Sequence, residues 1–142
     1  MIRPATTNDY PLLITLWEAS VRATHHFLPE DYLQYIKSIL PIAFSHVQLY
    51  VYTHTNETIC GFAGVVEGKI EMLFIDPAMR GKGIGRTLIS FCMRQLGATK
   101  VDVNEQNEQA VEFYRHIGFA VVSRSELDGA GKPFPLLHMQ IG

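Results

Sequence analysis

The chain has 142 residues, enough for one domain with a real core, and its 47% hydrophobic and 18% charged residues exclude a disordered polymer. Twelve basic against fourteen acidic residues give a formal charge of −2, without the basic excess that nucleic-acid binding normally requires. The opening MIRPATTNDY has no signal-peptide core and no apolar run approaches a membrane span, so a cytoplasmic protein without nucleic-acid or membrane partners is expected.

In chain order, MIRPA reads as a short strand and TTNDYPLLITLWEASVRA as a helix. Thr7, Asn8 and Asp9 offer N-cap chemistry, Pro11 is tolerated in a first turn, and Leu12, Leu13, Leu16, Trp17, Ser20 and Val21 fall on one face. THHFLP breaks the periodicity, and EDYLQYIKSIL resumes it until Pro41, where a helix is expected to stop. VQLYVYT and TICGFAGVVEG alternate as strands around the turn-rich HTNE. Gly68 turns the chain into a third strand, KIEMLFID, on which Glu71, Leu73 and Ile75 should share one face and Met72 and Phe74 the other. Ile84, Leu88, Ile89, Cys92 and Leu96 mark a helix of about three turns. TKVDVN is a strand, and EQAVEFYRHIGF is a helix closed by Gly118, with Ala110, Phe113, Tyr114 and Ile117 on one side. AVVSRSEL and FPLLHMQI are final strands around DGAGKP.

No linker, repeat or low-complexity segment interrupts this order, and residues 1–142 read as a single domain. The hairpin-like middle implies antiparallel pairing, and the later strand–helix–strand unit allows one parallel pair with a right-handed crossover. The expected fold is mixed α/β, with helices on the faces of its sheet. Cys60 and Cys92 read as buried, reduced packing residues. His46, His54, His116 and His138 lack metal-ligand spacing, so no metal is expected.

Three glycines alternate with Lys82 and Ile84 directly before a predicted helix, in DPAMRGKGIG. Glycine costs backbone entropy in a folded segment, so such a cluster suggests close approach by a ligand, and phosphate is the first candidate. The stretch does not supply a Walker A loop. It approaches the dinucleotide fingerprint G-x-G-x-x-G through Gly81 and Gly83, with Asp102 at about the right distance for a ribose-binding acid. Arg86 stands where the third glycine should be, however, and a mixed sheet does not suit that fold.

Arg80-Gly81-Lys82-Gly83-Ile84-Gly85, after an apolar strand ending in Asp76-Pro77, resembles the R/Q-x-x-G-x-G/A acyl-CoA signature of the GNAT acetyltransferase superfamily. VNEQNEQAVEFYRHIGF, residues 103–119, is similar to that family's second landmark, V-N-x-x-N-x-x-A-x-x-F-Y-x-x-x-G-F. The resemblance covers essentially the whole chain. THHFL, FIDP, NEQNEQAV and GKPFPLL further resemble a small bacterial branch of the YjaB type.

The resemblance implies a mostly antiparallel central sheet of about seven strands and a pyrophosphate of acetyl-CoA held by the glycine loop. Arg80, Gly81, Lys82, Gly83, Ile84, Gly85 and Arg86 would form that site: backbone N–H groups turn toward the anion, and the helix start and the cations add positive charge. It also implies that the pantetheine arm pairs with the backbone of Leu73, Phe74 and Ile75, one of whose N–H groups could polarise the thioester carbonyl. Tyr114 is the implied hydrogen-bond donor to the leaving thiolate. Asn107 is read as a helix cap that also approaches the cofactor, and Asn104 as a residue facing the acyl or amine site. For the base, Glu71 and His25 are both candidates, the second beside His26 in the segment that walls the acceptor site in this family. Trp17, Phe27, Tyr32 and Tyr35 read as core or lip packing.

The function implied is an N-acetyltransferase in which a primary amine, a protein lysine or a small molecule, attacks acetyl-CoA directly, in a monomer or homodimer. The rival is a non-catalytic CoA-binding sensor module.

Overall fold

The computed structural model describes all 142 residues. The elements are β1 (Ile2–Pro4), α1 (Tyr10–Thr24), α2 (Glu30–Ser45), β2 (Gln48–Thr53), β3 (Ile59–Val66), β4 (Lys69–Ile75), α3 (Ile84–Leu96), β5 (Lys100–Asn104), α4 (Glu108–Ile117), β6 (Ala120–Ser125) and β7 (Leu136–Gln140). They build one seven-stranded sheet in the order β1-β2-β3-β4-β5-β7-β6. Every pairing is antiparallel except β4 with β5. This is the mixed, mostly antiparallel architecture that the sequence implied.

Each face of the sheet carries its own apolar core. Leu88, Ile89 and Cys92 of α3 and Val111 of α4 bury against Ala63, Val65, Ile70, Val101 and Val103. On the other face, Leu13 and Trp17 of α1 and Leu33, Leu40 and Phe44 of α2 close over Leu49, Val51 and Phe62. A helix donates one apolar stripe and a strand alternates its side chains, so two helices per face suffice to cover a sheet of this size.

Four local expectations need correction. Leu12 is 61% exposed, because it lies roughly a quarter-turn from the centre of the buried stripe of Leu13, Leu16 and Trp17. The start of α1 is organised one residue earlier than expected. Asp9 reaches back to accept from the Thr6 N–H at 2.8 Å while Arg3 grips its carboxylate at 2.9 and 3.0 Å. Asp9 is consequently held down to a pKa of about 2, chiefly by the Arg3 hydrogen bonds.

Pro41 does not end α2, which runs to Ser45. Its exposed ring is tolerated because buried Leu40 and Phe44 anchor the last turn to the core. On β4, Val65 pairs with Ile70 and Gly64 with Met72, leaving Glu71 as the extra residue of a bulge. Glu71 therefore does not share a face with Leu73 and Ile75. Ile70 takes that place in the core.

The bulge lies near the feature that makes the site. β4 and β5 are joined only at Lys69–Lys100 and Ile70–Val101, and then separate. From Leu73 onward β4 has β3 on one side and an open edge on the other.

Candidate functional site

Asp76 begins the loop after β4. Its N–H donates to the Cys60 carbonyl at 2.8 Å, and its side chain accepts from the Ala78 N–H at 3.0 Å. In an antiparallel ladder the groups alternate sides. The Asp76–Cys60 bond therefore turns the Phe74 backbone toward β3, and the N–H and C=O groups of Leu73 and Ile75 toward the open edge. Leu73 and Ile75 thus present an open extended edge, whereas the Phe74 backbone, expected to share it, is taken up by β3.

Gly81 and Gly83 adopt φ of +76° and +80°, left-handed values that cost an L-residue about 1–2 kcal/mol. This conformation rolls the chain into α3 so that the backbone N–H groups of residues 81–86 donate to no acceptor in the protein. An ordinary helix leaves its first N–H groups unpaired; here the loop residues before the helix extend the run. Gly85 serves differently: a Cβ there would lie 3.3 Å from the Phe113 ring, so α3 and α4 approach closely at that point. Arg80, Lys82 and Arg86 take part in no ion pair within the chain. The result is a concentration of unpaired positive charge and free donors.

Loop, open strand edge and helix α4 enclose a cavity of about 470 Å³. Its walls include Leu73, Phe74, Ile75, Arg80, Gly81, Gly83, Ile84, Gly85, Arg86 and Asn107, and no carboxylate. Asn107 both lines the cavity and caps α4, accepting from the Ala110 N–H at 3.2 Å. Lys82 is exposed beside this wall, and neither it nor Asn104, at the end of β5, lines the cavity.

His25 lines the cavity from the end of α1. Burial, then the positive charges of Arg80 and His26, lower its pKa to about 4, so the ring is neutral at pH 7. The tautomer follows from its neighbour. Both contacts are satisfied at once when the Thr24 hydroxyl donates to the Ser20 carbonyl at 2.9 Å and His25 Nδ1–H donates to the Thr24 oxygen at 2.7 Å, which assigns the tautomer from the hydrogen bonding. Nε2 is left with the lone pair. Glu71 is a different case: it does not line the cavity, and its carboxylate stands 3.8 Å from Lys69.

Tyr114 is 5% exposed and sits in the α3/α4 core rather than on the cavity wall. Its ring meets Phe113, which does line the cavity, edge-on at 5.1 Å. Burial raises the phenol pKa, with Cys92 adding to the effect, so the group stays protonated. Its hydroxyl makes no hydrogen bond inside the protein, yet no buried side-chain polar atom is sealed off without a partner, so the oxygen keeps a small opening. Cys60 and Cys92 are buried and free, and burial pushes the Cys92 thiol up to about 11.

Sequence reasoning missed Ser20, Thr24, Met79, Gln109, Ala110 and Phe113 among the lining residues. Ser20 and Thr24 precede His25 on the same helix one turn apart, a spacing that could have drawn them in. Phe27, Tyr32 and Tyr35 also have more to do than fill space. Tyr32 and Tyr35 help to wall a second cavity, of about 530 Å³, and Phe27 packs on Phe134 of that wall. No helix is long and apolar enough to cross a membrane.

Comparison with known proteins gives the family and the fold. Residues 18–141 match the model of a family described as an acetyltransferase (GNAT) domain. The chain is 39% identical over 138 residues to the peptidyl-lysine N-acetyltransferase YjaB of Escherichia coli, covering 97% of this chain and 94% of that protein. The solution structure of apo YjaB from Escherichia coli superposes with a TM-score of 0.91 at 36% identity, covering 99% of this chain and 95% of that one. A PaiA N-acetyltransferase from Thermoplasma acidophilum, solved in complex with coenzyme A, shares the fold at a TM-score of 0.74 and 21% identity, over 100% and 98% of the two chains.

Proposed function

The chain belongs to the GNAT family of acetyltransferases, and from that premise we propose that it moves the acetyl group of acetyl-CoA directly to the side-chain amine of a protein lysine. The observation that carries the donor half is the run of unpaired N–H groups at residues 81–86 among three unpaired cations, opening on the free edge of β4. A diphosphate fits the first feature, and an amide-bearing arm lying along Leu73 and Ile75 fits the second. The peptidyl-lysine acceptor in the name of the Escherichia coli relative supports the acceptor class.

The chemistry asks three things of the residues. A lysine ammonium with pKa near 10.4 must lose a proton, which costs roughly 4–5 kcal/mol at pH 7. That proton leaves to solvent, and His25, neutral at pH 7, accepts a hydrogen bond from the amine as its nitrogen attacks the carbonyl carbon; with a pKa of about 4 the ring orients the amine and does not hold the proton itself. A β4 N–H, from Leu73 or Ile75, stabilises the oxyanion. With the C–N bond formed, collapse of the oxyanion breaks the C–S bond, the nitrogen releases its second proton to solvent, and Tyr114, behind Phe113 on the cavity wall, offers its hydroxyl toward the departing thiolate. Its raised pKa suits a hydrogen-bond donor better than a full proton donor. Amide and free CoA are the products.

The test is thiol release from acetyl-CoA with lysine peptides, read together with acetyl incorporation by mass spectrometry. Turnover is expected, and Tyr114→Phe should reduce it about 100-fold, in the range for loss of one transition-state donor, with acetyl-CoA affinity unchanged. Tight acetyl-CoA binding with no turnover on peptides or small amines would instead mark a sensor module. Equal turnover by the Phe variant would remove Tyr114 from the mechanism.

A further inference from the structure

The second cavity lies beyond the part of the site that handles the acetyl donor. Its wall is aromatic. Tyr32 stacks on Phe134 with ring centroids 5.4 Å apart and planes at 10°, and Tyr35 stacks on Tyr32 at 6.3 Å and 10°. Tyr35 is 54% exposed, so its ring is available at the mouth. The wall is also braced. The Tyr32 hydroxyl donates to Asp128, whose other oxygen accepts from the N–H groups of Ala130 and Lys132 at 3.0 and 2.9 Å. One carboxylate thus shapes the β6–β7 loop and ties it to the first turn of α2.

The two cavities are connected by rings. His25, on the wall of the first, packs on Phe27 at 5.3 Å, and Phe27 packs on Phe134 of the second at 5.9 Å. They differ in electrical character. The first has Arg80 and Arg86 and no carboxylate. The second is lined by the carboxylate of Asp31, which makes no ion pair, with Asp128 behind Tyr32 and Lys132 as the one cation. Stacked phenol faces beside a carboxylate attract a cation, and a planar guanidinium can stack and pair at once.

We propose that this aromatic cavity is a subsite for a cationic side chain, arginine above all, lying a few residues from the target lysine in the acceptor protein. This rests on the lysine N-acetyltransferase reading, which it makes more specific. At roughly 3.4 Å per residue, an extended peptide spans the ring-to-ring steps between the cavities within a few residues. The target amine then enters beside His25 while its neighbour is held between Tyr35 and Asp31.

The experiment compares lysine peptides that differ only at flanking positions, carrying arginine, alanine or glutamate, with wild type, Tyr35→Ala and Asp31→Asn. Wild type should favour an arginine flank over alanine by about tenfold in kcat/KM, expressed mainly in KM, and should disfavour glutamate. Both substitutions should shrink the arginine preference to about twofold or less. No flank preference in wild type, or one that survives both substitutions, overturns the proposal. So does better use of a free diamine than of any peptide, with the same loss on Tyr35→Ala, because the occupant would then be a small molecule. If no peptide is turned over, calorimetry with the CoA-loaded protein and the same peptides decides: tighter binding of the arginine peptide, lost in Tyr35→Ala, upholds the subsite while the transferase reading falls.

Discussion

His25 is a histidine that the fold keeps uncharged, and this has a consequence for stability that is separate from catalysis. Its pKa is near 6.5 in an unfolded chain and about 4 in the folded one, because burial and then Arg80 and His26 oppose protonation. Between those values the unfolded state binds the proton and the native state refuses it. Stability should therefore fall as pH drops from about 6.5 to about 4, by at most about 1.4 kcal/mol per pH unit from this residue, and be fully retained above that window. Urea titrations of wild type and His25→Gln across the window should show the shallower slope in the variant. Equal slopes would mean that the folded ring titrates as it does in the unfolded chain, and that burial and the neighbouring charges do not oppose its protonation. Thr24 belongs to the same unit, since its hydroxyl oxygen meets His25 Nδ1 at 2.7 Å.

At the level of elements, α2 carries an avoidable cost. Pro41 lacks an N–H, so the Lys37 carbonyl loses its partner one turn away, inside a 16-residue helix. Pro41 is exposed, so Pro41→Ala should restore the bond without disturbing the core. It is expected to stabilise the protein by about 1–3 kcal/mol, seen as a Tm rise of several degrees without loss of turnover. An unchanged or lower Tm would show that the ring's restriction of the unfolded chain matters more.

Pro41 also illustrates what a sequence can convey. The glycine loop, the Asn107 cap and the Gly118 stop were legible because each is set by chemistry within a few residues. The end of α2 was not, because distant packing of Leu40 and Phe44 overrides the local signal. The same holds for the Glu71 bulge, which exists only as a register with β3, and for the Tyr32–Asp128 tie, whose partners stand 96 positions apart. The separation of β4 from β5 is a property of neither strand alone.

At the scale of the whole molecule, the cavity joins parts of the chain that the sheet itself leaves apart. β4 and β5 share only two paired positions, yet β4, the α3 loop and α4 all face the same space, with His25 of α1 opposite. A donor bound across it would add the contacts that the diverging strands cannot make, and would do so only in the folded state. Linkage then requires stabilisation by about 2.7 kcal/mol at a ligand concentration 100 times Kd. For a chain of this length that corresponds to a Tm rise of roughly 5–10 °C. The rise should shrink as salt increases, because Arg80, Lys82 and Arg86 contribute through charge. Gly83→Asp should abolish it, since it adds a negative charge and forces a side chain into φ +80° at the anion site. The substituted Cβ meets no neighbouring atom within 4 Å, so the variant should still fold and its unliganded Tm can be measured for comparison. Differential scanning fluorimetry with acetyl-CoA, free CoA and NAD distinguishes the cases. Shifts with both CoA species and none with NAD are expected, and an equal shift in the Gly83→Asp variant would place the donor somewhere other than this loop.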